Sequence, residues 1–338
     1  MSPESPNILL ITPHDLGINL GCYGRDPVIR FPHTDRLAEE GVRFENHFCT
    51  APFCSPSRGG IFTGRYPHSN GLMGLVNCGW DLPDPLRTLP VYLQEAGYET
   101  SLFGFQHIVS DPERVGYDHV RSQESYACRD VAETTAEWLI SGGAHGERPF
   151  YAEVGFSEVH RIYRHVDEVY AAEEEVTPHA FLEDIPGLRQ DLAMFYADVT
   201  VMDRAVGRIL EALEEAGLTE NTLVIFTTDH GEAFPRAKGS LYDAGLRTAL
   251  LMRWPAGFDG GRVLDPMISN VDLFPSVLGA AGVGVPEGIQ GRSFLPLLRA
   301  KDYESRRRIF AEKNTTGWDY KRCVRTESHK YIRNFGDG

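Results

Sequence analysis

Five short apolar runs, set far apart and separated by helical patterns, constrain this chain more than any other feature. They are NILLIT (7–12), ETSLFGF (99–105), PFYAEVGF (149–156), TLVIFTT (222–228) and ALLMRW (249–254). Each reads as a buried parallel strand. Between them, TDRLAEEG opens on the capping residue Thr34 and closes on Gly41, and TLPVYLQEAG runs from Thr88 to Gly97. A long amphipathic helix over 188–216 carries Leu188, Leu192, Phe195, Val199, Met202, Val206, Ile209, Leu210 and Leu213 on one stripe, with Gly217 closing it. The alternation predicts an α/β fold with a mostly parallel sheet flanked by helices.

The pattern changes past Pro296. RRIFAEKN and KRCVRTESHKYIRNF read as strands of a small antiparallel unit, and two such strands are marginal alone. The expected division is 1–298 for the main domain and 299–338 for the beginning of a C-terminal subdomain, with the natural chain continuing. At 338 residues and 42% hydrophobic the chain can bury a large core. Its 33 basic against 48 acidic residues give a net charge of −15, which argues against a nucleic-acid surface. No run reaches transmembrane length, so no membrane partner is expected. The start, MSPESPNILLIT, has no basic leader region, which predicts a cytoplasmic protein, or a periplasmic or secreted one if a leader was removed. The six cysteines are scattered, and reduced thiols are expected.

In open α/β sheets, ligands bind outside the carboxyl ends of the strands. Four of the runs lead straight to ionisable residues there: His14 and Asp15, His107, His160, and Asp229 with His230. One such histidine is unremarkable. Two Asp-His neighbours from distant parts of the chain could converge on one cation.

The stretch FCSPSRGGIFTGR (53–65) raises a separate question about Cys54. A free cysteine is most often a small buried residue. Redox chemistry wants a nearby partner, and Cys49, five residues away, makes no CxxC pair. A third reading is a resemblance: CSPSRGGIFTGRYPHSNGL resembles the signature of the type I sulfatases of the alkaline phosphatase superfamily, in which this cysteine becomes formylglycine. NILLITPHDLG, HTDRLAEEGVRFENHF, TLPVYLQEAGYETSLFGFQH and GRILEALEEAGLTENTLVIFTTDHGE extend it over nearly the whole chain. FTTDHGEAFPRAKGSLYDAGLR is most similar to the N-sulfoglucosamine sulfohydrolase branch.

The resemblance implies an alkaline-phosphatase-like sandwich and a sulfuric ester or sulfamate hydrolase. Cys54 would be the precursor of the nucleophile, made by a formylglycine-generating enzyme, and its hydrated aldehyde would attack sulfur. Arg58 would hold that group. His14, Asp15, Asp229 and His230, with residue 54, would bind one divalent cation. His107 would accept a proton during sulfate release, His160 would protonate the leaving group, and Lys238 would bind sulfate. The expected partner is a sulfated small molecule or glycan, with selectivity in loops 68–87 and 158–187.

Two departures stand out. Most sulfatases carry an acidic pair where this chain has His14-Asp15; calcium is the expected cation, but two histidines keep manganese and zinc open. The family's GKxH lysine is replaced by Phe105 in GFQH, with Arg161 and Arg164 as nearby substitutes. The alternatives are a phosphonate or phosphodiester hydrolase on the same scaffold, and an inactive protein that binds sulfated glycans.

Overall fold

NILLIT forms the innermost strand of the sheet, β1 (Asn7–Thr12), with parallel partners on both sides. Its pleat explains the run: Leu9 and Ile11 point into one apolar layer, Ile8 and Leu10 into the other, so nothing polar is tolerated on either face. The computed structural model describes residues 5–25, 31–121, 125–144, 146–165, 175–314 and 319–335. Of the expected selectivity loop 158–187, residues 166–174 lie outside the described residues.

The remaining strands are β2 (Val42–Phe44), β3 (His47–Phe48), β4 (Glu99–Gly104), β5 (His119–Arg121), β6 (Phe150–Gly155), β7 (Thr222–Thr227), β8 (Leu250–Arg253), β9 (Arg262–Leu264), β10 (Ile268–Ser269), β11 (Ile309–Lys313), β12 (Lys321–Arg325) and β13 (Lys330–Asn334). Eight form one sheet in the order β5-β4-β6-β1-β7-β8-β2-β9. Six longer helices matter here: α1 (Pro32–Glu40), α2 (Cys54–Thr63), α3 (Leu89–Glu95), α4 (Cys128–Ile140), α5 (Pro186–Glu215) and α6 (Leu273–Ala280). α1, α4 and α5 bury their apolar stripes in the layer that receives Leu9 and Ile11; α2, α3 and α6 cover the opposite face. The sheet is mostly parallel between two helical layers, as the alternation of runs predicts.

Three local expectations are corrected. The run at 249–254 does not join as a parallel strand: β8 runs antiparallel to both β7 and β2. Between Thr227 and Leu250 the longest helix has four residues, too little for the crossover that a parallel return requires. Thr34 is not the cap of α1, which begins at Pro32; its hydroxyl donates to Asp203 on α5 at 2.7 Å and so ties two helices together. The C-terminal unit has three antiparallel strands, because KRCVRTESHKYIRNF folds into two of them as a hairpin.

A candidate active site at the strand ends

β4, β6, β1 and β7 are neighbours in the sheet, and their registers bring their carboxyl ends level. Thr12 pairs with Gly155, Gly104 with Gly155, and Ile11 with Phe226. His14 and Asp15, His107, His160, and Asp229 with His230 therefore leave the sheet along one edge. Backbone bonds lock the exits together: His14 N–H donates to Glu158 O at 2.7 Å, and Asp15 N–H to Asp229 Oδ1 at 3.0 Å. A Cβ on Gly155 would lie 1.8 Å from Phe105 O, so glycine lets the 105–107 segment cross over β6. Asp15 and His107 take φ values of 51° and 62°, left-handed conformations that side chains other than glycine adopt only where the surroundings hold them.

The Cys54 stretch becomes α2, and Cys54 is its first residue, so the positive end of the helix dipole faces the strand ends. Every residue of α2 is buried. Gly60 permits this, since a Cβ there would meet Thr50 Oγ1 at 2.8 Å. The Ser57 hydroxyl donates to Asp229 O, and Asn270 Nδ2 donates to Ser57 O at 2.9 Å. Arg58 is fully buried: Nε donates to Asp229 Oδ2 at 3.2 Å, Nη1 to Thr12 Oγ1, and Nη2 to the carbonyls of Thr12 and Pro13. Those bonds occupy four of its five N–H groups. None of these Arg58 bonds goes to Cys54 Sγ.

Around Cys54, one ligand atom each from His14, Asp15, Cys54 and Asp229 falls within 4.8 Å of the others. His230 stands beside this group, with Nε2 3.3 Å from Cys54 Sγ and 3.2 Å from Asp15 Oδ1. His14 Nδ1 lies 2.9 Å from Asp229 Oδ2 without hydrogen-bond geometry. A ring nitrogen aimed at a carboxylate with no bond between them is what a shared cation would satisfy. The residues present fit such an ion.

Electrostatics agree with that geometry. Burial acts upward on Asp229, but His230, His14 and Arg58 hold it well below the usual carboxylate range. Burial and Arg58 lower His14 to about 4. Burial, followed by the Asp229 and Asp15 carboxylates, pushes the Cys54 thiol well above its ordinary value. An activated thiolate needs the opposite environment. As a thiol, Cys54 is a poor nucleophile.

Lys238 Nζ donates to Asp15 Oδ2 at 2.6 Å, and this carboxylate raises the ammonium pKa against the downward effect of burial. His107 is lowered to about 3 by burial, with the His14 and Arg58 neighbours acting the same way, so it is neutral at ordinary pH. His160 is half exposed, with Nε2 3.9 Å from Asp15 Oδ2. Its Nδ1–H donates to Arg161 O, because a carbonyl can only accept, and this leaves Nε2 as the nitrogen facing the site.

A cleft of about 320 Å³ opens on this edge, lined by residues that include His14, Phe105, His107, Tyr126, His160 and Arg164. Cys54 and Lys238 do not line it, and Cys54 is 3% exposed. Phe105 packs against His14, His107 and Tyr126 at centroid distances of 4.7, 4.8 and 5.2 Å. Arg161 is committed to a two-pronged pair with Asp191, at 3.1 and 2.9 Å. Arg164 lines the cleft and has no ion-pair partner among the described residues.

Sequence reasoning singled out neither Thr12 nor Tyr126, and it reached Glu158 and Asn77, which also line the cleft, only as members of the expected selectivity loops 158–187 and 68–87. Thr12 and Glu158 could have been found as neighbours of strand ends. Tyr126 and Asn77 come from connecting segments with no periodicity to place them.

A family model described as Sulfatase matches residues 6–283, and one described as N-sulphoglucosamine sulphohydrolase, C-terminal, matches residues 231–337. Human N-sulphoglucosamine sulphohydrolase is 31% identical, over 87% of this chain and 66% of its own length. An ulvan-active sulfatase of Formosa agariphila is 28% identical, over 98% of this chain and 61% of its own. The chain thus spans less than two thirds of the length of these relatives. Among solved structures, a Bacteroides thetaiotaomicron protein of glycosaminoglycan metabolism superposes with a TM-score of 0.86 at 23% identity, covering 98% of this chain and 87% of that one. A protein solved with its substrate D-glucosamine-2-N,6-O-disulfate gives 0.78 at 21% identity, over 99% and 90%. At these identities the structures establish the shared alkaline-phosphatase-like fold.

Proposed function

The chain belongs to the sulfatase family, and on that premise we propose that it hydrolyses a sulfate ester or sulfamate, with a sugar as the leaving group. The observation that carries the reading is the setting of Cys54. It sits at the first turn of a buried helix, inside a cation-competent donor set, with its thiol held protonated. The names of the relatives support a sulfated sugar as substrate, and the sulfamidase among them supports the sulfamate option.

Converted to formylglycine by a formylglycine-generating enzyme, residue 54 would supply a hydrated aldehyde, with one hydroxyl to attack sulfur and another through which sulfate is later expelled. His14, Asp15, Asp229 and residue 54 would hold a divalent cation, with His230 at its edge, and that ion would supply positive charge against a sulfate oxygen. Calcium is the family expectation; the imidazole nitrogens are the feature that favours manganese or zinc.

The chain's own residues do the rest. Arg58 fixes Asp229 and the end of β1, and the one N–H left over from these bonds would hold residue 54. Lys238, charged beside Asp15, would bind the sulfate. His107, partly buried and neutral, is suited to take a proton from the residue 54 hydroxyl. His160, half exposed at the cleft wall, is suited to deliver a proton from Nε2 to the departing oxygen or nitrogen. Arg164 is placed to replace the positive charge that Phe105 lacks.

The Asp229-His230 pair also favours a second reading, a phosphonate or phosphodiester hydrolase on the same scaffold. The test is co-expression with a formylglycine-generating enzyme, peptide mass spectrometry of residue 54, and turnover of nitrophenyl sulfate beside nitrophenyl phenylphosphonate. Conversion with faster sulfate turnover is expected. Unconverted Cys54 at full occupancy, or phosphonate turnover exceeding sulfate turnover, overturns the proposal.

A further inference from the structure

Away from the Cys54 cluster, three groups with metal-binding chemistry meet where α4 begins. One ligand atom each from Cys128, Glu158 and His165 lies within 4.8 Å of the others. Cys128 and Glu158 are buried, and the His165 side chain is 17% exposed. Glu158 Oε2 accepts the Cys128 N–H at 2.8 Å and the Ser157 hydroxyl at 3.1 Å, while Oε1 lies 3.1 Å from His165 Nε2. From α5, Asp198 accepts the backbone N–H groups of Arg164 and His165, and so fixes the chain that presents this imidazole.

We propose that Cys128, Glu158 and His165 form a second cation site, of the zinc class, at the foot of the loop that carries His160. A thiolate, an imidazole and a carboxylate are the donor types that zinc prefers. Zinc bonds of roughly 2.0–2.3 Å place neighbouring ligand atoms about 3.3–3.8 Å apart, inside the spread found here. Three protein donors also leave one tetrahedral position open. Glu158 lines the 320 Å³ cleft, so an ion can reach the cluster from there.

The surroundings give such an ion a purpose. The ion would join the start of α4 to both ends of the 158–165 segment, whose middle residues include His160. The main chain of Glu158 also receives the His14 N–H, so the same anchor positions both flanks of the cleft. The site depends on no chemistry at residue 54.

Zinc and cobalt(II) serve as probes, added to chelator-stripped protein. Cys128→Ser and His165→Gln should each bind one zinc ion fewer per chain than wild type, whereas Asp229→Asn should keep the zinc at this site. His165 is partly exposed, so His165→Gln tests the site with little risk to folding, and zinc at this site should bind about a hundred-fold more weakly or not at all. The near-ultraviolet sulfur-to-cobalt charge-transfer band should survive Cys54→Ala and vanish in Cys128→Ser. Zinc content unchanged by Cys128→Ser and His165→Gln, or a cobalt band lost with Cys54→Ala instead, overturns the proposal.

Discussion

The ring of Phe105 lies 5.7 Å from the guanidinium carbon of Arg58, at the position where the resemblance to sulfatases leads one to expect a lysine. The buried arginine therefore meets an aromatic face in place of the expected second cation. The same ring touches His14 and His107, so it also forms the apolar wall between a candidate ligand and a candidate proton acceptor.

Restoring the lysine should not be a simple repair. Phe105→Lys puts an ammonium about 6 Å from Arg58, a repulsion of about 2–3 kcal/mol at an effective dielectric near 20. The expected outcome is a lower Tm that added sulfate partly restores, since an anion between the new lysine and Lys238 relieves the repulsion. A variant as stable as wild type without any anion would show that the pocket tolerates the extra charge unaided.

Glu153 supplies a pH prediction. It is buried in β6, accepts a hydrogen bond from the Tyr117 hydroxyl, and leaves Oε1 without a partner. Burial raises its pKa from 4.5 to about 8, with Tyr117 and Arg58 acting in the other direction. Between those values the folded chain keeps a proton that the unfolded chain has released, so stability falls as pH rises through this window. Glu153→Gln keeps the shape and cannot ionise. Thermal unfolding at pH 5 and pH 8 should show a smaller drop for the variant than for wild type. Equal drops would mean that Glu153 is already ionised in the fold.

The central strands were readable because β1, β4, β6 and β7 are buried on both faces, which favours predominantly apolar runs with few polar interruptions such as Glu153. Their carboxyl ends then located His14, Asp15, His107, His160, Asp229 and His230 on one edge. The direction of β8 was hidden, because it depends on what lies between Thr227 and Leu250, where composition does not reveal a missing crossover helix. Thr34 was misread for a similar reason: its partner Asp203 is 169 positions away, and a local rule assigned the hydroxyl to a cap. The bonds of Arg58 to Thr12 and Pro13 were equally out of reach. They exist because α2 is buried whole against the end of β1.

Asp229 should be the most sensitive metal position. Its two oxygens receive the N–H groups of Asp15 and His230 and the Nε–H of Arg58, and they face His14 Nδ1. Asp229→Ala removes a candidate ligand and leaves Arg58 buried without its counter-charge, a loss of about 3–5 kcal/mol for a buried pair. Chelation of wild type should lower Tm, because an ion bound only to the folded state stabilises it by mass action. The same chelation should lower the Tm of Asp229→Ala by less than that of wild type if the cluster around Cys54 holds one of the stabilising ions, the remaining drop belonging to the Cys128 site. Separate additions of calcium, manganese and zinc, read by recovery of wild-type Tm, then identify the ion.

The sharpest test of the proposed chemistry is the dependence of His160 on the leaving group. Nε2 of this half-exposed ring faces the site, 3.9 Å from Asp15 Oδ2, while Nδ1 is anchored on the Arg161 carbonyl. A sugar alkoxide is too basic to depart without a proton, whereas a nitrophenolate leaves almost unaided. General-acid help is typically worth about 10²–10⁴ in rate, and it should be lost only where the leaving group needs it. His160→Ala should therefore slow hydrolysis of a sugar sulfate or sulfamate by about that factor and cost far less on a nitrophenyl sulfate. His107 is proposed to act on the residue 54 hydroxyl, a step shared by both substrates, so His107→Ala should slow them equally. Steady-state kcat for the two substrates on the two variants gives four numbers, and only one of them should be disproportionately low. If His160→Ala instead slows both substrates alike, the residue binds substrate or supports the cleft wall, and Lys238 becomes the group to examine as proton donor.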